Sequence, residues 1–574
     1  MMLILGSAGC SAAGPAPKRA TATSTVADQP SIATGVAAAS SKLPTADTPT
    51  ASFEVAPSTL RTGLVASTAA VSPTTRPDPN VLHEVRTTLY DNGELPLTGA
   101  GAVTSAKSWG VVSVPADGRG PFPLVIVLHG SHGFCKTSGS RSWPCAPGDE
   151  EAHHEGLSYL TDALARRGFV GVAVGINPEF AVPADRSMVG VTTAAIIERD
   201  ILGPLTRPDA GTGSALPVDR SLVDVGRVVI VGHSRGGAVA AVLAPRLRVK
   251  VSGVILIAPT SDTVAPELLA DVRTVVVLGT CDGDTGVDGG EFVSAALAAH
   301  RHEAVSMVMV DGATHNATNE GLAPEPGVSG RLGCGESDRL GASAQRALIG
   351  DLVPDLARSI LGDAIAPGGT AAFDALRPDD RVGSGRRVVH VDDSENAGRE
   401  TLMDPMKAWP PVNATIHGLA VTRCPGGISS PYRTPGTEAC HRLELAEVVG
   451  RPPTLHFAWV APGSSLTLRG LKSESDSVLV VRLYADPLVT PAGQVMVEVK
   501  ESRPGFPVVS HTVDIPIPVV GEPVSELGVR RGAILWSERR LVVASGTDTI
   551  VLSVLSPDVG ALDLVGIDLV PVHP

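Results

Sequence analysis

The stretch RVVIVGHSRGGAVA, from Arg227 to Ala240, decides the fold of this chain. Val228 to Val231 are apolar and β-branched, which predicts a buried strand. The pattern G-x-S-x-G follows, and the small residues after it suit a helix packed closely against a sheet. A strand, a tight turn with a serine and a helix form the context of a nucleophile elbow. We therefore expect Ser234 in a strained turn at a helix N-terminus, although a glycine-rich turn without chemistry has the same signature.

Strands and helices alternate on both sides of this stretch. The pattern predicts an α/β domain over residues 81–365, with a doubly wound, mostly parallel sheet covered by helices on both faces. The predicted strands span residues 83–90, 109–114, 123–128, 169–176, 228–231, 249–257, 274–278 and 304–310, and the predicted helices span residues 157–167, 191–202, 291–301 and 342–361.

The pattern changes after a Gly-, Pro- and Asp-rich link at residues 366–386. Residues 387–574 contain many short β-branched runs with turn residues between them and no helical period. This predicts an all-β sandwich, an accessory domain that we expect to bind a polymer or a carbohydrate. The link predicts that the α/β domain folds without the sandwich.

The N-terminal segment predicts export. Residues 1–10 are apolar, then small, and end at Cys10, which resembles the end of a bacterial lipoprotein signal with a lipidated cysteine. Ser7 departs from this pattern, because leucine is usual at its position. Residues 11–80 are rich in Ala, Ser, Thr and Pro and predict a disordered tether. We expect contact with a membrane only through the lipid anchor; the alternative is a secreted protein.

Composition excludes some partners and suggests disulfides. The formal charge is −14, and no basic patch with interleaved aromatic residues occurs, so nucleic acid is not an expected partner. The sequence contains no run of about 20 apolar residues, so it predicts no transmembrane helix. Apart from Cys10, the cysteines form three local pairs without a C-x-x-C motif, which argues for disulfides rather than zinc or free thiols. The expected pairs are Cys135 with Cys145, Cys281 with Cys334 and Cys424 with Cys440.

A serine that transfers acyl groups needs a base, and the base needs an acid that orients it. His315 follows the predicted strand at 304–310, and an acidic loop follows the strand at 274–278. These positions give the order Ser, Asp, His, each at the carboxyl end of a strand, where open α/β sheets place their sites. The sequence therefore predicts a catalytic triad of Ser234, an aspartate of that loop and His315.

The choice of the acid stays open. Asp282 has the common Gly-x-x-Asp spacing and is preferred, with Asp284 as its rival and Asp262, after the preceding strand, as a third candidate. The acidic loop, which also contains Asp288, suggests a calcium site as an alternative. It lacks the twelve-residue EF-hand pattern, so we expect no metal and no cofactor.

An oxyanion hole needs two backbone N–H groups near the nucleophile. One is expected from Arg235, and the other from the loop after the strand at 123–128, where Ser131 is the first choice and His132 the second. His129 is expected to brace this loop rather than act as a base. Trp143 is expected either to line a substrate pocket or to pack within its loop.

These motifs resemble the α/β-hydrolase superfamily over residues 81–361. The hexapeptide GHSRGG is similar to chlorophyllases, platelet-activating-factor acetylhydrolases and cutinase-like polyester hydrolases. The pieces LHGSHGFC, WPC, APTSD, CDGD and GATHN resemble a bacterial branch of exported hydrolases. The resemblance implies serine ester hydrolysis without a cofactor, with Ser234, Asp282 or Asp284, and His315 as catalytic residues.

The expected function is hydrolysis of carboxylic esters through an acyl-enzyme. The segment after the strand at 249–257 is short and leaves no room for a large cap, which favours an open site and bulky or polymeric esters. Two alternatives stay open: an amidase or peptidase with the same triad, and a non-catalytic binding protein of the cell envelope.

Overall fold

The computed structural model contains a large mixed α/β sheet followed by antiparallel sheets. All residues that it describes lie in one unit, Ser72–Pro574. It describes residues 78–96, 105–137, 143–181, 188–206, 216–261, 264, 268–299, 303–324, 334, 336–365, 372, 386–392, 400–404, 413–424, 446–448, 454–459, 464–471, 475–485, 494–516, 519–520, 532–534, 537–555 and 561–571. The predicted signal segment with Cys10 and nearly all of the predicted tether lie outside these residues.

The large sheet has nine strands in the order β1-β2-β4-β3-β5-β6-β7-β8-β9. Strands β3 to β8 are parallel to one another, and β1, β2 and β9 are antiparallel to their neighbours. The strands are β1 (Val85–Pro96), β2 (Ser105–Pro115), β3 (Phe122–Leu128), β4 (Val170–Val174), β5 (Val223–His233), β6 (Val251–Ile257), β7 (Arg273–Gly279), β8 (Val305–Val310) and β9 (Arg386–Asp392).

Helices cover both faces of this sheet, because its central strands are apolar on both sides. Val229 and Val231 of β5 belong to a buried cluster with α1 and α7, whereas Val228 and Ile230 face a second cluster with α3, α5 and α6. The helices are α1 (Ser158–Arg166), α2 (Asn177–Ala181), α3 (Val191–Ile197), α4 (Gly203–Thr206), α5 (Arg235–Leu243), α6 (Gly290–Ala298) and α7 (Ala342–Leu361). The α/β prediction for this part of the chain is confirmed, with a π-helical turn, Glu198–Leu202, in place of the end of the predicted helix at 191–202.

The predicted boundary between the two parts needs correction. Arg386–Asp392 forms β9, which pairs with β8 of the large sheet, whereas the sequence pattern predicts that most of this segment belongs to the sandwich. Within the predicted link, Ala372 is fully buried; its N–H donates to Ser359 Oγ, and its carbonyl accepts a hydrogen bond from Ser306 Oγ. The chain therefore returns to the large sheet before it enters the antiparallel sheets.

Residues after β9 form short strands, in agreement with the β-branched runs. Two antiparallel sheets, β12-β14-β23-β16-β21 with β10 beside β23 and β11-β15-β22-β17-β18, share one buried apolar cluster, and β13-β20-β19 form a small third sheet. The strands are β10 (Glu400–Met403), β11 (Ala414–His417), β12 (Leu419–Cys424), β13 (Ala446–Val448), β14 (Thr454–Trp459), β15 (Ser465–Arg469), β16 (Ser477–Ala485), β17 (Gln494–Ser502), β18 (Val509–Pro516), β19 (Val519–Val520), β20 (Gly532–Ile534), β21 (Ser537–Val543), β22 (Thr549–Val554) and β23 (Ala561–Pro571).

The last strand also contacts the first part of the chain. Leu564 belongs to the cluster between the two antiparallel sheets, whereas its neighbour Val565 belongs to a cluster of the large sheet. Successive side chains of a strand point to opposite faces, so Val565 turns away from the sandwich cluster toward the large sheet, whereas Val570 lies in a third cluster with Val478 and Val480. Among the described residues, no helix is long and apolar enough to cross a membrane.

Candidate active site

Ser234 lies between β5 and α5 in a backbone conformation that residues other than glycine rarely adopt, with φ 57° and ψ −128°. Such strained geometry concentrates at functional sites. The flanking glycines permit the tight turn: a Cβ on Gly232 would lie 2.1 Å from the Gly236 carbonyl oxygen, and one on Gly236 would lie 2.3 Å from that of His129. The Ser234 N–H donates to the carbonyl of Ile257 at 2.9 Å, which fixes the turn against the next strand.

His315 and Asp282 form a buried pair beside this turn. His315 Nδ1 lies 2.9 Å from Asp282 Oδ2, and both side chains are almost completely buried. His233, the residue before Ser234, contacts His315 with 4.6 Å between ring centroids. The structure thus brings together the loops after β5, β7 and β8.

Backbone and side-chain donors hold Asp282 in place. Its Oδ1 accepts the N–H groups of Asp284, Thr285 and Gly286, and its Oδ2 accepts the Thr285 hydroxyl at 3.0 Å. Burial alone would raise the pKa of Asp282, but the charge of His315 and these hydrogen bonds outweigh it and lower the pKa. The carboxylate therefore stays ionised and can orient the imidazole so that Nε2 is the reactive nitrogen.

The other acidic candidates occupy different places. Asp284 Oδ2 lies 3.6 Å from His315 Nε2, and its side chain is 66% exposed, so it approaches the opposite nitrogen of the ring. Asp288 is buried in the same loop, and Asp262 lies outside the described residues. Within the described ranges, no group of three or more His, Cys, Asp or Glu side chains is placed so that it could hold a metal ion.

The loop after β3 packs directly against the serine. A Cβ on Gly130 would lie 2.7 Å from Ser234 Cβ and 3.1 Å from His132 Nε2, so the backbone here approaches the nucleophile closely. Ser131, the expected oxyanion donor, follows at once, and its buried hydroxyl has no hydrogen-bond partner in the described part of the chain. Arg235, the other expected donor, is the first residue of α5.

Two histidines fix this loop. His129 Nε2 accepts the N–H of Ile176 at 2.9 Å, so its Nδ1 carries the proton and donates to the Gly130 carbonyl at 2.7 Å. Burial, with a smaller effect of His153, lowers the pKa of His129 well below its usual range. His129 thus braces the loop, as expected. His153, which sequence reasoning missed because no motif marks it, has Nε2 2.7 Å from the Gly133 carbonyl.

The two central side chains of the site are buried. Ser234 is 4% exposed and His315 is fully buried. Burial first, and the neighbouring His315 second, lower the pKa of His233 well below its usual range, so His233 adds no positive charge beside the base.

Disulfides staple two of the site loops. Cys135 is bonded to Cys145 and Cys281 to Cys334, the pairs that locality predicts. Trp143 lies in the first of these loops, where its ring contacts Phe134 edge-on at 6.5 Å between centroids, as expected if it packs within the loop. Cys424 is also disulfide-bonded, and its expected partner, Cys440, lies outside the described residues.

Comparisons with known proteins give little further identification. No protein-family model matches the chain, and no curated protein matches it. Among solved structures, the chain is similar to one from a study of two esterases of the fungus Rhizomucor miehei that explains their substrate specificity. The TM-score is 0.30 with 15% sequence identity, and the match covers 49% of this chain and 85% of that chain.

Proposed function

We propose that this chain is a serine hydrolase of the α/β-hydrolase fold that cleaves carboxylic esters, with a β-sandwich after the catalytic domain. The observation that carries the proposal is the strained conformation of Ser234 at the N-terminus of α5, next to the buried His315–Asp282 pair. A buried hydroxyl held in this turn beside an oriented imidazole is suited to nucleophilic attack.

In the proposed mechanism, His315 Nε2 takes the proton of Ser234 Oγ as Oγ attacks the ester carbonyl carbon. The N–H groups of Arg235 and Ser131 stabilise the oxyanion. His315 then gives the proton to the leaving alcohol, and the carbon–oxygen bond to that alcohol breaks. Water hydrolyses the acyl-enzyme by the same steps, and Asp282 stays ionised throughout.

The proposed substrates are carboxylic esters, either small soluble esters or bulky and polymeric ones. The short connection between β6 and β7, which leaves no room for a large cap, favours the bulky class. A panel of p-nitrophenyl esters of varied acyl length, compared with a polyester film, separates these classes.

The test of the proposed reaction is covalent labelling with a fluorophosphonate, followed by peptide mapping. We expect the label on Ser234 and, in Ser234→Ala, loss of labelling and a fall in kcat of about 10⁴- to 10⁶-fold. Ser337→Ala, which removes an exposed hydroxyl, serves as the matched control. A label elsewhere, or activity above about a tenth of wild type in Ser234→Ala, contradicts the proposal. Matched ester and amide substrates distinguish an esterase from an amidase.

We also propose that the protein is exported and lipid-anchored through Cys10, or secreted if Cys10 is not lipidated. The two disulfides among the described residues support export, because disulfides persist in oxidising compartments. Metabolic labelling with palmitate and detergent phase partition test the anchor. Cys10→Ser is expected to abolish both the label and partition into the detergent phase.

A further inference from the structure

Asp284 occupies an unusual place for a carboxylate that is not the orienting acid. Asp282 contacts Nδ1 of His315, whereas Asp284 Oδ2 lies 3.6 Å from Nε2, the nitrogen that must exchange protons with serine, leaving group and water. One small molecule, such as water, is enough to bridge the gap between a carboxylate at this position and the reacting atoms.

The position of Asp284 is fixed by the orienting acid itself. The Asp284 N–H donates to Asp282 Oδ1 at 3.0 Å, so the same carboxylate that orients His315 also anchors the backbone of Asp284. Thr285 N–H donates to the same oxygen at 2.8 Å, which holds the turn between the two aspartates. These two hydrogen bonds fix the backbone of Asp284 relative to Asp282.

The solvent exposure of the Asp284 side chain makes water the molecule that it can bind beside His315. Ser234 is 4% exposed and His315 is fully buried, but the side chain of Asp284 is 66% exposed. Asp284 is therefore in contact with solvent while its carboxylate lies near the reactive nitrogen. A water molecule has two hydrogens, and two acceptors, His315 Nε2 and Asp284 Oδ2, lie close enough together to receive them.

We propose that Asp284 positions the hydrolytic water in deacylation, an inference that rests on the proposed ester hydrolysis. The water donates one hydrogen to His315 Nε2 and the other to Asp284 Oδ2, which directs its oxygen toward the acyl carbon. The water oxygen bonds to that carbon as His315 takes the first proton. The bond from carbon to Ser234 Oγ then breaks, Oγ receives that proton, and the carboxylic acid leaves. Asp284 stays ionised.

The test compares water and methanol as nucleophiles that accept the acyl group from the same acyl-enzyme. Methanol has a single hydroxyl hydrogen, which His315 takes, so methanolysis has no second hydrogen to give to Asp284. In water–methanol mixtures with p-nitrophenyl acetate, Asp284→Ala should raise the ratio of methyl ester to acetic acid about 10- to 100-fold, the effect of losing one hydrogen bond to a charged group. Changes in the basicity of His315 affect both acceptors and cancel in the ratio.

Controls separate this role from a structural one. Glu336→Gln removes an exposed carboxylate of a neighbouring loop and should leave the ratio unchanged, and Asp284→Glu should restore it in part. An unchanged ratio in Asp284→Ala, with normal labelling of Ser234, overturns the water-positioning role but leaves the proposed esterase intact. Failure of the wild type to form an acyl-enzyme overturns both proposals.

Discussion

Replacement of Ser234 by glycine should stabilise the protein while it removes the proposed activity. Ser234 has φ 57° and ψ −128°, a region that essentially only glycine occupies without strain. The strain on a residue other than glycine in this conformation lowers the stability of the folded state by about 1–3 kcal/mol. Glycine avoids this strain, but the larger conformational entropy of its unfolded chain costs about 0.5–1 kcal/mol of stability. The net expectation is a gain of about 0.5–2 kcal/mol for Ser234→Gly over Ser234→Ala.

The comparison between these two variants isolates the backbone term, because both lack the hydroxyl. The assay is urea unfolding at 25 °C, with the midpoint compared at equal slope. Ser221, an exposed residue without positive φ, is the matched site: there glycine should be less stable than alanine by about 0.5–1 kcal/mol. If Ser234→Gly is no more stable than Ser234→Ala, the turn stores no strain and the structural basis for the nucleophile fails.

Three further predictions concern the surroundings of the site. Asp282→Asn should lower kcat by about 10⁴-fold through loss of the oriented imidazole of His315, in steady-state assays where Glu336→Gln is the control. Burial raises the pKa of Glu150 to about 7, so the folded protein should lose stability as pH rises from about 4.5 to about 7; Glu150→Gln should remove this loss, as urea midpoints at several pH values will show. Reduction of the disulfide of Cys281, which adjoins Asp282, should lower activity before the global melting transition, a result that parallel activity and circular dichroism measurements can contradict.

The central sheet was predictable because its signals are local. Each parallel strand contains an apolar, mostly β-branched run, which is typical of strands buried on both faces, and the helix Ala342–Leu361 has the predicted bounds. The glycines around Ser234 also carry information, since their lack of a Cβ is what permits the turn. These features depend on residues close in sequence, so their patterns can be recognised without the fold.

The role of the second aspartate was not predictable, for a physical reason. Asp282 and Asp284 follow the same strand and differ by two positions, and both spacings are compatible with a carboxylate near His315. The distinction lies in which ring nitrogen each meets, Nδ1 or Nε2, and in their burial. Both depend on the turn in which the N–H groups of Asp284 and Thr285 donate to Asp282 Oδ1, and no sequence motif specifies these donors.

The return of the chain to the large sheet after the link is not visible in the sequence, because β9 pairs with β8 over a long sequence distance. The Gly- and Pro-rich link suggests a free connection, yet Ala372 is buried within it and β9 adds to the edge of the large sheet at β8. The core of the large sheet also includes Val565, near the C-terminus, which is still more distant in sequence. Cutting the chain at residue 365 would remove an edge strand and uncover apolar surface, which opposes the prediction that residues 81–365 fold alone. Residues after the link therefore complete the large sheet and cover part of its core, and an accessory role toward large substrates would be added to that structural one.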